Sequence, residues 1–189
     1  ISGRVVKRQE KKMIAEYLGF FIYIFTAIFV VVSPISGVVT FISLTSKMTH
    51  EEKNDIAKKS VTLACVIALF FAIAGNIILN LFSISVDSLR VAGGILLFSI
   101  AFDMMHAKIS RESITEEEIS QSQEREDIWV FPIGLPLLTG PGAISTVIVL
   151  MGSTESIEQK IIVLVSIILT FVLCLYIFLF SRRIHKFIG

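Results

Sequence analysis

Residues 132–150 read PIGLPLLTGPGAISTVIVL, a run without a single charged side chain that nonetheless holds Pro132, Pro136 and Pro141 and the glycines Gly134, Gly140 and Gly142. It is too apolar for water and too interrupted for one plain helix. Proline removes a backbone donor and pushes the residue before it away from helical torsions, and glycine accepts unusual ones, so Gly140-Pro141-Gly142 is a strong helix breaker. Read outward, the uncharged stretch extends over Ile128–Met151, and its middle falls at that Gly-Pro-Gly. A helix needs about 20 residues to cross the hydrocarbon core. The sequence therefore predicts a membrane span broken near its centre.

The fourth proline, Pro34, interrupts another such run: VVSPISGVVTF (residues 31–41) lies inside the uncharged stretch Leu18–Leu44, with Gly37 three residues further on. Three unbroken apolar segments complete the pattern, Val61–Phe82, Val86–Met105 and Ile161–Phe180, and only the Val86–Met105 segment contains charges, Asp87, Arg90 and Asp103, all near its ends. Backbone polar groups find no water in a bilayer, so continuously apolar spans must be helical or shielded by neighbours. A β-barrel would show alternating polarity over about ten residues, which is absent here. The expected fold class is an all-α membrane protein with five transmembrane helices, the first and fourth broken by Pro and Gly.

Composition agrees. Of the 189 residues, 54% are hydrophobic and 17% charged, against about 25% charged in an average soluble domain. That excludes a water-soluble protein and a disordered one. A net charge of +1 gives no reason to expect a nucleic-acid partner. Cys65 and Cys174 both sit in apolar runs, and no metal-binding spacing or cofactor motif occurs, so no metal and no cofactor are expected.

The basic start, Arg4 to Lys12, followed by an apolar run, resembles a signal peptide, but the run continues past Pro34 to Leu44, too long for a signal core. Residues 1–12 are read as a non-native or mis-called tail before Met13. Residues 13–105 form a first three-helix unit, 106–127 an acidic cytoplasmic loop, and 128–189 a second unit with two helices. Lys and Arg collect on one side: ten lie in the segments 45–60, 106–127 and 181–189. That predicts a multi-pass protein of the cell membrane with the N-terminus outside and residue 189 in the cytoplasm.

The two broken spans stand first and fourth, three crossings apart, so they run in opposite directions. This is the signature of an inverted 3+3 repeat, here lacking its last helix. A break inside a membrane bares backbone groups. The N-terminus of a half-helix suits an anion such as a carboxylate and its C-terminus suits a cation, so two antiparallel breaks can hold a zwitterion. A proline kink repaired by neighbouring helices is the plainer reading. Candidate solute-binding residues are Ser33, Pro34, Ser36 and Gly37 on one side, and Thr139, Gly140, Pro141, Gly142, Ser145 and Thr146 on the other.

PIGLPLLTGPGAISTVIVL resembles the signature of the MarC family of integral membrane proteins, also called the small neutral amino acid transporter family, and residues 73–105 (IAGNIILNLFSISVDSLRVAGGILLFSIAFDMM) are similar to its second and third helices. The resemblance covers Met13 to Gly189. It implies a six-helix fold in a wider group of amino acid and metabolite exporters, and small neutral amino acids such as glycine and alanine as substrates. The family's first motif usually opens Asn-Pro, with Gly two residues after the Pro and another Pro three later; here those positions hold Ser33, Pro34, Ser36 and Val39. This makes the first break the milder one.

Ala64, Ala68, Ala72, Asn76 and Asn80 recur every fourth residue, as do Ser166, Thr170 and Cys174. Such stripes lie on one helix face and read first as close helix packing; the functional alternative puts Asn76, Thr170 or Cys174 on a permeation route. Asp103 is read as a snorkelling carboxylate or, alternatively, a gate. Asp87 and Arg90 are one turn apart and read as an interfacial pair. Thr115 and Glu118 match a capping box. No enzyme is expected: His50, His106 and His185 all lie at segment edges, and no phosphate-binding GxxxxGK[ST] loop exists. The leading expectation is a secondary transporter or exporter of small neutral solutes, with the lipid bilayer and a small molecule as partners and homo-oligomers allowed. The rival is a membrane scaffold or assembly protein that transports nothing.

Overall fold

The computed structural model describes residues 2–46, 48–106 and 128–188, with side chains described except at 2–6, 8, 103–104 and 181–188. Six α-helices and one irregular helical segment make up these residues, and they contain no strand: α1 (Ser2–Val32), α2 (Pro34–Leu44), α3 (His50–Leu81), α4 (Val86–Met105), the segment Trp129–Leu138, α5 (Pro141–Gly152) and α6 (Ile157–Ile188). The protein is an all-α membrane protein. All of the acidic loop after His106, including the expected Thr115–Glu118 cap, lies outside the described residues.

The first interruption is a single residue. Ser33 takes a left-handed conformation (φ 48°, ψ 60°) and Pro34 opens α2. The hydrogen-bond ladder runs almost through it, because Ser33 N–H donates to Phe29 O (3.1 Å) and Gly37 N–H to Ser33 O (3.0 Å). Gln9–Leu44 therefore remains one candidate span of 36 residues. The second interruption is larger: the Trp129–Leu138 segment and α5 meet at 56°. Within the segment, Phe131 (φ −127°, ψ 126°) and Leu135 (φ −133°, ψ 131°) are extended. Each precedes a proline, whose ring disfavours helical torsions in the residue before it.

α3 starts at His50, well before the apolar run that begins at Val61. The cause is a capping box that the sequence reading passed over in favour of Thr115–Glu118. Glu52 N–H donates to Thr49 Oγ1 (3.4 Å) and Thr49 N–H donates to Glu52 Oε2 (2.7 Å). The two residues satisfy each other's orphan donors.

Among the described residues, Gln9–Leu44, His50–Leu81 and Ile157–Phe180 are each long and apolar enough to cross a bilayer, and the bent pair makes a fourth span if counted as one. α4 has the bounds expected from the sequence, but its uncharged run covers only Val91–Phe102. It spans only if Asp87, Arg90 and Asp103 reach water near its ends.

Packing centres on α6, which touches α1, α2 and α3. Its Val163, Ile167, Phe171, Cys174 and Phe178 are buried, and Phe178 stacks on Phe41 of α2 at 4.8 Å between ring centroids. α3 offers the small buried residues Ala57, Ala64, Ala68, Ala72 and Gly75, which let backbones approach where no hydrophobic effect drives helices together. The two interrupted spans lie half against opposite half: α1 packs on α5, and α2 packs on Trp129–Leu138. α4 rests on α5. The outer surface is greasy, with Ile22, Phe70, Ile77, Ile95 and Phe98 all exposed. In water this would aggregate; against lipid tails it needs no further cover.

Candidate functional site

The second interruption places Thr139, Gly140 and Pro141 between two helical directions. Thr139 is buried, and its Oγ1 donates to Gly134 O at 2.7 Å, which ties the irregular segment to the bend. Gly140 caps α5 with φ −68° and ψ 169°, and Pro141 follows at the first helical position. That extended conformation is open to any residue. No glycine among the described residues has positive φ, so torsion does not call for glycine at Gly140, and at Gly142 the reason is closeness. A Cβ on Gly142 would stand 2.9 Å from Leu97 Cδ2 and 3.7 Å from Val31 Cγ1. Gly142 is thus the point where α1 and α4 meet the start of α5.

Two cavities flank the contact between α4 and α5. The larger, about 680 Å³, lies between α1, α4 and α5, and Val31, Gly93, Leu97, Ser145 and Thr146 are among its lining. The smaller, about 520 Å³, lies between α4, α5 and the Trp129–Leu138 segment, where Gly93, Pro136, Thr139, Pro141 and Ser145 line it. Gly93 and Ser145 belong to both, and a Cβ on Gly93 would stand 3.2 Å from Ser145 Oγ. That contact divides the two spaces.

Of the expected residues on the fourth span, Thr139, Pro141, Ser145 and Thr146 line one or both cavities. Gly140 and Gly142 adjoin them without lining either. Ser33, Pro34, Ser36 and Gly37 lie apart from both. There, Ser33 Oγ donates to Ser36 Oγ at 3.0 Å, Pro34 is buried, and Gly37 is packed so that a Cβ would meet Phe178 Cζ at 3.3 Å and Leu138 Cδ2 at 3.4 Å. Thr170 is fully buried and donates to Ser166 O at 2.9 Å, within its own helix. Asn76 leaves its Oδ1 buried without a hydrogen-bond partner, beside Gly152, whose added Cβ would stand 2.7 Å from it. Asp103 lies in the last turn of α4, and its side chain is outside the described residues.

The lining hydroxyls of α5 and the bend are turned inward to the backbone, while Tyr23 and Thr26 of α1 bring two more hydroxyls to the larger cavity. Ser145 Oγ and Thr146 Oγ1 both donate to Gly142 O, at 3.0 and 2.7 Å. Each keeps lone pairs to offer but has no spare proton. The charge comes from a residue that the sequence reading treated only as half of an ion pair. Arg90 lines the larger cavity and is the single charged side chain in the described lining of either. Its Nη1 donates to Asp87 Oδ1 (2.8 Å) and its Nη2 to Ser153 Oγ on the far end of α5 (2.6 Å). Gly93 and Gly94 were missed as well. Adjacent glycines inside an apolar span are the signal that could have found them, since small residues mark close approach in membranes.

Comparison with known proteins fits this architecture. Residues 18–189 match the model of the MarC family integral membrane proteins. UPF0056 membrane protein MJ0972 of Methanocaldococcus jannaschii is 39% identical over 153 residues, covering 81% of this chain and 67% of that protein. UPF0056 membrane protein YvbG of Bacillus subtilis is 35% identical over 172 residues, covering 90% of this chain and 82% of that one. UPF0056 membrane protein YhcE of Escherichia coli is 41% identical over 142 residues, covering 72% and 65%. No solved structure matches the chain. With a family match along nearly its whole length and relatives at this level of identity, the chain belongs to the MarC family of integral membrane proteins.

Proposed function

We propose that this protein is a secondary transporter or exporter of small neutral, zwitterionic solutes such as small amino acids. The observation that carries the reading is the 56° bend between Trp129–Leu138 and α5, with Thr139 and Pro141 at the bend lining a cavity against α4. A half-helix that begins inside a membrane points its N–H groups and partial positive charge at whatever fills the space before it. Discontinuous helices of this kind hold substrate in secondary transporters, where one repeat rocks against the other. The half-against-opposite-half packing of the two interrupted spans supports such an inverted arrangement. The Lys and Arg distribution supports a cell-membrane orientation with the N-terminus outside. Reconstitution into proteoliposomes with labelled glycine and alanine, under imposed pH and sodium gradients, tests the reading: uptake above empty vesicles is expected, and none under any gradient overturns it for these solutes.

One observation favours a second reading, a membrane scaffold that moves nothing. Ser33, Thr139, Ser145 and Thr146 all spend their hydroxyl protons within their own stretch of chain. In that reading the breaks only shape helix packing, and variants at the cavity wall leave cellular phenotypes unchanged as long as the fold is kept.

A further inference from the structure

We infer that the larger cavity is a binding site for a compact amphipathic monocarboxylate, with its anionic head on the Arg90 guanidinium and its apolar body between α1, α4 and α5. The inference deepens the transport reading and rests on it for the solute's passage, but binding is measured apart from flux. A volume of about 680 Å³ lies within the roughly 300–1,000 Å³ of small-molecule pockets. Its walls are largely aliphatic, with Ile22, Val30, Leu97 and Leu150 among them. Ser145 and Thr146 have committed their protons to Gly142 O. Tyr23 and Thr26 add two neutral hydroxyls to the lining, and Arg90 supplies the one charged donor an anion in this space can find.

Arg90 is suited to the task by how it is held. A guanidinium has five N–H donors in a fixed fork. The two bonds to Asp87 and Ser153 leave three for a carboxylate, which Arg can engage through two parallel bonds. Asp87 is 83% exposed and Arg90 56% exposed, so Asp87 approaches from the water side and does not fill the cavity. Ser153 fixes the guanidinium from α5, across the end of the cavity from its own helix. The head group is thus positioned before the solute arrives, which removes part of the ordering cost of binding.

Geometry favours a compact solute over a membrane lipid. On α4 the lining runs from Arg90 to Leu97, about 10 Å at helical rise. A lipid tail spans half of a hydrocarbon core about 30 Å thick and would reach past the α4 wall and to the end of the α1 wall, Ile22 to Val31, about 14 Å long at helical rise. A branched acid with a chain of four or five carbons is short enough to lie within the cavity.

The test uses the purified full chain in detergent and three labelled probes of similar apolar shape: leucine, 4-methylpentanoate, which lacks the ammonium, and 3-methylbutylamine, which lacks the carboxylate. Leucine and 4-methylpentanoate are expected to bind saturably and the amine not to. Arg90→Gln should weaken both acids at least tenfold, and Arg90→Lys should restore part of the loss. Asp87→Asn, which leaves Arg90 in place, should tighten both acids several-fold, and it decides the matter if the Gln variant fails to fold. Amine binding equal to acid binding, unchanged affinity in a folded Arg90→Gln, weaker acid binding in Asp87→Asn, or displacement of the acids by phosphatidylglycerol alone would each overturn the inference. Loss of acid binding in Arg90→Gln with glycine and alanine uptake intact confirms the anion site but shows that those solutes do not use it. Acid binding without any uptake leaves the site standing and sinks the transport reading instead.

Discussion

A Cβ built on Gly75 of α3 would stand 2.7 Å from Cγ1 and 2.8 Å from Cγ2 of Ile148 on α5. The glycine lets an isoleucine of the bent span lie directly on the backbone of its neighbour. Isoleucine is branched at Cβ and stiff at χ1, so it cannot swing aside as a leucine tip could. Gly75→Ala should therefore push α3 and α5 apart and destabilise the protein by about 1–3 kcal/mol, the usual range for overpacking. Ile148→Ala in the same chain should recover much of the loss. Thermal unfolding followed by circular dichroism in detergent checks both; a Gly75→Ala variant that melts with the parent would show that this contact is looser than it stands.

Much of this architecture was legible in the sequence because apolar length is a coarse and strong signal. The bounds of α4, Val86–Met105, were read correctly, and so was the milder character of the Ser33–Pro34 break. The start of α3 was missed because hydropathy marks where a helix turns greasy, whereas Thr49 and Glu52 mark where it begins. The cavities were harder. Which hydroxyls stay free depends on rotamers, and Ser145 and Thr146 could not be known to bend back to Gly142 O. Arg90 was seen with Asp87 because they are three residues apart, but its bond to Ser153 joins positions 63 apart, and no local pattern announces such a partner.

Thr139 holds the irregular segment in shape. Its side chain is buried and donates to Gly134 O at 2.7 Å. Thr139→Val keeps the volume but removes the donor, and a buried carbonyl left without it costs about 1–3 kcal/mol. Thr139→Ser keeps the hydroxyl and should lose much less. A valine variant as stable as the serine variant in denaturant melts would mean that Gly134 O finds another donor.

Ser33 occupies the left-handed region at φ 48°, where a residue with a Cβ is strained by roughly 1–2 kcal/mol. Its hydroxyl bond to Ser36 joins two neighbouring serines, the second of which glycine at 33 would leave to its own backbone, and it offsets only part of that strain. Ser33→Gly should therefore stabilise the chain by about 1 kcal/mol, while Ser33→Val, branched at Cβ, should destabilise it by at least as much. Melting temperatures of the two variants should fall on opposite sides of the parent. The reverse order would mean that the serine hydroxyl, and not the backbone, holds this break.

The two glycines around Pro141 should separate in their effects. Gly140 sits at φ −68°, ψ 169°, torsions that alanine adopts without strain, and Pro141 already keeps the preceding residue extended. Gly140→Ala should leave both folding and uptake close to the parent. Gly142 differs, because its added Cβ would come to 2.9 Å from Leu97 Cδ2. Leu97 lines the larger cavity, so Gly142→Ala drives that side chain, or α4 with it, away from α5 and changes the cavity's shape. Glycine and alanine uptake by proteoliposomes should fall several-fold in Gly142→Ala, the double variant should match it, and Leu97→Val should restore part of the flux by shortening the obstructing side chain. A well-folded Gly140→Ala that alone abolishes uptake would contradict this division, since it would show that the hinge must pass through torsions available only to glycine.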